Sequence, residues 1–204
     1  MGFYREKIVP HLVNLSMRNG ELKPYRERVL AGTLGRVLEI GVGSGANLPL
    51  YPARITEIFA LEPSSKLISM ARKAAARSAR PVCFLAASAE ALPLERGFFD
   101  SIVMTWTLCS IPDAPKALSE LRRVLKPGGN LLFVEHGESP EPGIKKWQDR
   151  LNPYWKRFAG GCNLNRNIPT LLENAGFRVT HLNTGYMKGP KPFTFLYEGS
   201  ASPT

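Results

Sequence analysis

A chain of 204 residues, 44% hydrophobic and 22% charged, has the balance of one globular domain with a full core, and no run of about 18 apolar residues is present to cross a membrane. Charges interrupt the opening MGFYREKIVPHLVNLSMRNG, so neither a secretory signal nor an anchor is expected and the protein is expected to be cytoplasmic. The net charge of +10 does not by itself imply a nucleic-acid partner, because its excess sits in two segments, 66–80 and 145–166.

The first thirty residues read as a helical cap interrupted at Pro10 and Pro24. Five short apolar runs follow: RVLEIGV (36–42), EIFALEP (57–63), VCFLAAS (82–88), FDSIVMTWT (99–107) and NLLFVEHG (130–137). Helical spacing separates them at 64–79 and 114–129, the second segment closing on Pro127, Gly128 and Gly129. Strands that alternate with helices must pair in parallel through crossovers, so the expected fold is α/β and doubly wound, with helices on both faces. Residues 138–168 break the pattern, being rich in aromatics, Gly and Asn, and read as an insertion on the substrate side. A helix in NIPTLLENAGF precedes two alternating runs, 177–185 and 192–201, close enough in sequence to pair antiparallel. The expectation is a single domain over 1–204 with a seven-stranded, mostly parallel sheet and an antiparallel last strand.

The most informative stretch is VLEIGVGSGANLPLYP, from residue 37. Gly41, Gly43 and Gly45 follow a strand end, where bare backbone approaches a ligand and a helix start offers free N–H groups. Glu39, two residues before the first glycine, suits a ligand with a cationic amine better than a pyrophosphate. Glu62 ends the second strand in ALEPSS; it is either a surface carboxylate or an acceptor for both hydroxyls of a ribose, and the glycine string favours the ribose. The ligand so described is a nucleoside without phosphates.

These stretches resemble the class I S-adenosylmethionine-dependent methyltransferases: LEIGVGSG the glycine motif, LEPSS the ribose motif, AASAEALPL the adenine loop, FFDSIVMTWTLCSIPD the fourth strand with its loop, LRRVLKPGGNLLFVEH the helix and fifth strand. The resemblance implies S-adenosylmethionine as methyl donor, S-adenosylhomocysteine as product and a Rossmann-like fold. It implies that Glu39 and the backbone of Gly41 and Gly43 face the methionine part, Glu62 the ribose, and Ala89 with Glu90 the adenine edge, with Gly45, Asn47, Pro63, Ser88, Thr105 and Thr107 also among the cofactor-binding residues. Many relatives have Asp where this chain has Ser88, which implies either a weaker contact with the adenine amine or a shift of that role to Glu90. TLCSIPDAPKAL, FVEH and PYWKRFAGGCNLNRNIPTLLENAGF resemble more narrowly the methyltransferase-like 7 family of animals and its bacterial relatives, which implies S-methylation of small thiols.

Methyl transfer from a sulfonium is an in-line displacement that needs alignment in a dry pocket more than acid–base machinery. A thiol reacts as its thiolate, so a neighbour that lowers its pKa helps. His136, directly after the fifth strand, is the first candidate for base or positioning group, against the alternative of a structural histidine. His11, Trp106, Trp155 and Arg166 are candidates for the acceptor side: a closing segment, two aromatic walls and an anion holder. Cys83, Cys109 and Cys162 lack ligand spacing and read as reduced packing thiols, so no metal is expected. Alternatives are phospholipid amine methylation, suggested by the basic segment 145–166 and implying contact with an anionic membrane, and a binding subunit without turnover. Against nucleic acid, the fourth-strand loop reads TWTL and the chain has no room for an added RNA-binding domain.

Overall fold

The computed structural model describes residues 8–17 and 19–204; the first seven residues of the expected N-terminal cap, and Arg18, lie outside the described residues. Seven strands form one sheet: β1 (Gly35–Ile40), β2 (Ile55–Leu61), β3 (Val82–Leu85), β4 (Phe99–Thr105), β5 (Leu125–His136), β6 (Phe177–Tyr186) and β7 (Phe195–Pro203). Their order is β3-β2-β1-β4-β5-β7-β6. The first five pair in parallel, and β7 runs antiparallel to both β5 and β6. The order reverses between β1 and β4, and a parallel sheet opens its ligand crevice at that switch point.

Each central strand alternates between two cores. Leu38, Ile102, Leu131 and Phe133 pack on one face against α4 (Ala114–Val124) and α6 (Ile168–Asn174). Val37, Val103, Leu132 and Val134 pack on the other against α2 (Lys23–Ala31), while Ile58 and Ala60 meet α3 (Ser65–Ala75). Burying a Leu or Ile completely contributes about 2 kcal/mol, and most of these side chains are fully enclosed.

Three local expectations are corrected. Pro10 and Pro24 do not break helices: each is the second residue of one, in α1 (Val9–Met17) and α2, where the lost N–H has no intrahelical partner to forgo. The fourth helix ends at Val124 rather than 129, because Leu125 is already extended and pairs with Phe99. Pro127 to Gly129 then form an excursion before pairing resumes at Asn130 with Ser101. The insertion 138–168 contains a 17-residue helix, α5 (Pro142–Phe158), with Pro153 inside it. Its one buried residue is Gln148, which accepts from Ser139 N and donates to the Gly137 and Pro192 carbonyls, so a polar anchor replaces the apolar stripe that would have signalled a helix.

Candidate active site

At the carboxyl ends of β1, β2, β4 and β5 lies a cavity of about 950 Å³. The glycine loop forms one wall. Gly41 has φ of +67°, and a Cβ there would stand 2.5 Å from Thr107 Cγ2, so only glycine lets the loop touch the segment after β4. Gly43, at φ +55°, faces open space, and its N–H donates to Glu62 Oε2 at 3.1 Å. Gly45 corrects an expectation: a Cβ there would meet Ala74 Cβ at 2.9 Å and the Ala71 backbone at 3.1 Å, so it admits α3 to the loop and does not line the cavity.

Glu62 is 6% exposed; Oε1 accepts from Ser64 N at 3.0 Å. Burial pushes its carboxyl up, against the two backbone donors that pull it down. Both oxygens retain accepting capacity toward the cavity. Pro63, Ser88, Ala89, Thr105 and Thr107 also line it. Arg26 is the one Arg or Lys among the described lining residues, and its guanidinium is engaged by Asn47 Oδ1 at 2.8 Å and Thr105 Oγ1 at 3.1 Å. A glycine cradle beside a carboxylate, with no free Arg or Lys to meet a phosphate among the described lining residues, fits the uncharged adenosine and cationic sulfonium of S-adenosylmethionine.

Glu39 and Asn47 lie beneath this floor rather than on it, because Glu39 points to the opposite face of β1 from Ile40. Glu39 accepts from Asn47 Nδ2 and from Tyr51 OH, each at 2.9 Å. Through Asn47 it ties α2 to the glycine loop. Burial raises the Glu39 carboxyl from 4.5 to about 7, against Tyr51, Arg26 and Asn47, which lower it. The folded protein therefore holds a proton that the unfolded chain has released between those values. This favours folding fully below about pH 4.5, and the contribution is lost as pH rises through about 7. In Glu39→Gln that part of the slope should vanish, a difference of about 3 kcal/mol between wild type and variant accumulated across the window, checked by urea unfolding from pH 5 to 8.

Glu90 is also displaced from the cavity. Its Oε1 accepts from Asp113 N and Oε2 from Ser88 Oγ, each at 2.7 Å, so it pins two loops together, and the Ser88 hydroxyl first, then Asp113 N, hold its carboxyl below the ordinary range. His11 is exposed on α1 and lines a separate cleft with Lys73 and Arg77. Arg166 does not line the cavity; it donates to the carbonyls of Leu108 and Ile111 and so holds the loop after β4 from behind. Trp106 lines the cavity with φ of +53°, a left-handed conformation costly for a bulky residue. Its ring already carries the Arg26 guanidinium at 4.9 Å and the edge of Tyr25.

Opposite the glycine loop the wall is polar in one place. His136 Nε2 lies 2.8 Å from Cys162 Sγ, to which Trp155 Nε1 donates at 3.3 Å, and both His136 and Trp155 line the cavity. Cys109 completes the corner: the donor atoms of Cys109, His136 and Cys162 all lie within 4.8 Å of one another. The sequence spacing gives no sign that Cys109 and Cys162 meet each other and His136 in one corner. The Cys109 thiol is held well below its ordinary range, chiefly by its hydrogen bond with Cys162, with His136 adding to the effect. Cys162 is pushed up by the same partner. Burial, the largest single influence, lowers the basicity of His136, but the charge of Cys109, the hydrogen bond to it and the charge of Glu135 together outweigh burial and the net shift is upward.

Glu135 escaped the sequence reading. It is fully buried, and its carboxylate accepts from Thr107 N at 2.8 Å, Leu108 N at 2.9 Å and Cys109 N at 3.4 Å. Burial first, then the charge on Cys109, raises it to about 8. The available signal was an acidic residue inside the apolar run LLFVEH. Arg26, buried on a charged amphipathic segment, left no such signal.

The family described as Methyltransferase domain matches residues 38–133. The human thiol S-methyltransferase TMT1B is 36% identical over 178 residues, covering 83% of this chain and 70% of that protein. A phosphatidylethanolamine N-methyltransferase from Cereibacter sphaeroides is 34% identical over 104 residues, 50% of this chain and 51% of that one. Among solved structures, a SAM-dependent methyltransferase from Thermotoga maritima superposes with a TM-score of 0.68 at 25% identity, over 98% of this chain and 99% of that one. With the glycine loop, Glu62 and the Ser88–Ala89 loop around one cavity at the switch point of the sheet, these likenesses agree: the chain belongs to the class I S-adenosylmethionine-dependent methyltransferases, in the family that includes the thiol S-methyltransferases.

Proposed function

We propose that this enzyme transfers the methyl group of S-adenosylmethionine to the sulfur of a small apolar thiol. The observation that carries the reading is the 36% identity to a thiol S-methyltransferase across 83% of the chain. In the reaction the acceptor sulfur bonds to the methyl carbon as the methyl–sulfonium bond breaks, the electron pair returns to the donor's sulfur, and the acceptor's proton leaves.

Glu62 orients the ribose, and the backbone at Gly41 and Gly43 borders the methionine part. Ser88 and Ala89 border the base, and Thr105, Trp106 and Thr107 close the middle. The acceptor enters from the side of Trp155, Phe158 and Leu12, where the lining is apolar, and its sulfur meets the corner of Cys109, His136 and Cys162. A thiol suits that corner because it must shed a proton and becomes a soft anion.

A membrane-partitioned acceptor is the second reading. On α5, Trp147, Tyr154 and Phe158 are 54%, 67% and 66% exposed, spaced along one side of the helix with Lys146, Arg150 and Arg157 among them. Aromatics interleaved with basic residues at a cavity mouth fit the interface of an anionic bilayer. No helix among the described residues is long and apolar enough to cross one.

The test is transfer of labelled methyl to a panel of alkane and aryl thiols, amines, phenols and phosphatidylethanolamine vesicles with and without anionic lipid. Transfer to thiols is expected. His136→Ala should lower kcat with thiols by about 100-fold while the affinity for S-adenosylhomocysteine is unchanged. Transfer confined to vesicle amines would replace the thiol reading with the lipid one.

A further inference from the structure

We propose that Cys109, His136 and Cys162 are three ligands of a thiophilic divalent metal site, zinc being the fitting ion, with the fourth position open to the cavity for the acceptor's thiolate. The residues come from three places in the fold: the loop after β4, the end of β5 and the turn after α5. All three line the cavity, and their donor atoms lie within 4.8 Å of one another. Zinc bonds of about 2.3 Å to sulfur and 2.0 Å to nitrogen place tetrahedral ligands about 3.5–3.8 Å apart. Modest rotation of the three side chains meets that spacing, including an opening of the 2.8 Å contact between His136 Nε2 and Cys162 Sγ.

The surroundings match those of a catalytic metal rather than a structural one. Three protein ligands with a free position facing a substrate pocket are the catalytic pattern, and two thiolates with one imidazole select zinc over magnesium or calcium. The nearest carboxylate, Glu135, has its oxygens on three backbone N–H groups and so positions Cys109 without competing as a ligand. Trp155 Nε1 donates to Cys162 Sγ, the kind of second contact that orients a metal-bound thiolate.

Charge supports the assignment. A divalent ion with two thiolates and a neutral imidazole is neutral; an acceptor thiol that enters the fourth position and releases its proton to solvent makes it −1, opposite a donor carrying +1. The thiolate keeps its nucleophilic lone pairs, and the attraction draws it toward the sulfonium. The three-ligand site stands on geometry alone, whereas the role of the fourth position rests on the thiol reading above.

The test uses the full chain, reduced and stripped with a chelator, and Co²⁺ as a spectroscopic probe, followed by Zn²⁺ competition. One equivalent should bind, with the sulfur-to-cobalt charge-transfer band and intense visible bands of a tetrahedral thiolate site. Cys109→Ser, Cys162→Ser and His136→Ala should each weaken uptake by at least about tenfold, Cys83→Ser should not, and retained S-adenosylhomocysteine binding shows that the variants fold. A small alkane thiol, but not the matching alcohol, should shift the cobalt spectrum. Absence of stoichiometric uptake, or uptake indifferent to Cys109 and Cys162, would overturn the metal site, and full thiol transfer by the stripped enzyme would overturn the role of its fourth position. Uptake that meets every expectation beside no transfer to any thiol would leave the three-ligand site standing and overturn the thiol reading with the role of the fourth position.

Discussion

Glu62→Ala should lose S-adenosylhomocysteine affinity by about 100-fold or more while leaving the fold intact. The carboxylate is held in place by Gly43 N and Ser64 N, at 3.1 and 3.0 Å, and its remaining lone pairs face the cavity. A ribose diol donating twice to a charged acceptor contributes about 3–5 kcal/mol, because hydrogen bonds to charged groups contribute about 1.5–3 kcal/mol each, and every 1.4 kcal/mol is about tenfold in affinity. Stability should change little. The two backbone donors left behind border a cavity that water reaches, and the substitution removes a carboxylate whose burial is itself unfavourable. Glu62→Gln, with one accepting oxygen, should fall between. Calorimetric titration with S-adenosylhomocysteine decides the matter: affinity within about threefold of wild type would remove Glu62 from the ribose site.

Glu135→Ala should be the most destabilising single change near the site, by about 3–5 kcal/mol. The carboxylate is the acceptor for three successive backbone N–H groups, those of Thr107, Leu108 and Cys109, in a place where its own exposure is 0%. Truncation leaves those donors without a partner and without water. Glu135→Gln should cost only about 1 kcal/mol, because a carboxyl raised to about 8 is largely protonated at neutral pH and an amide keeps one accepting oxygen. Urea unfolding of the two variants checks the contrast; equal destabilisation by Gln and Ala would show that the charge, not the acceptor geometry, holds the loop. Since that loop carries Trp106, Thr107 and Cys109 into the cavity, the Ala variant should also lose turnover at temperatures where it remains folded.

Much of this protein was legible in its sequence because the relevant signals are local. Alternation of apolar residues over 36–42 or 99–107 states which side chains face the two cores, and helical spacing over 64–79 states how the crossovers pack. Glycines at a strand end mark a close approach of backbone, and Gly41 and Gly43 are at that approach, as is Glu62 at the end of the adjacent strand. Parallel order then follows, since short strands joined by helices have no other way to pair.

What only the tertiary structure decided is which distant side chains meet, and which polar groups are already engaged. Arg166 and Glu90 have the right chemistry for ligand contacts, yet backbone groups and a neighbouring hydroxyl hold them elsewhere. Glu39 sits next to the cavity in sequence but on the opposite face of its strand, and His11 is carried by α1, whose Leu12, Val13 and Ser16 line the cavity while His11 itself lines the separate cleft. Cys109, His136 and Cys162 are separated by 27 and 26 positions, so no spacing rule connects them. They converge because β4 and β5 are neighbours in the sheet and end side by side, and because the turn after α5 is bonded back to Cys109 through Asn163 at 2.8 Å. Sequence periodicity describes neighbours along an element; only the order of strands in space determines which elements share an end.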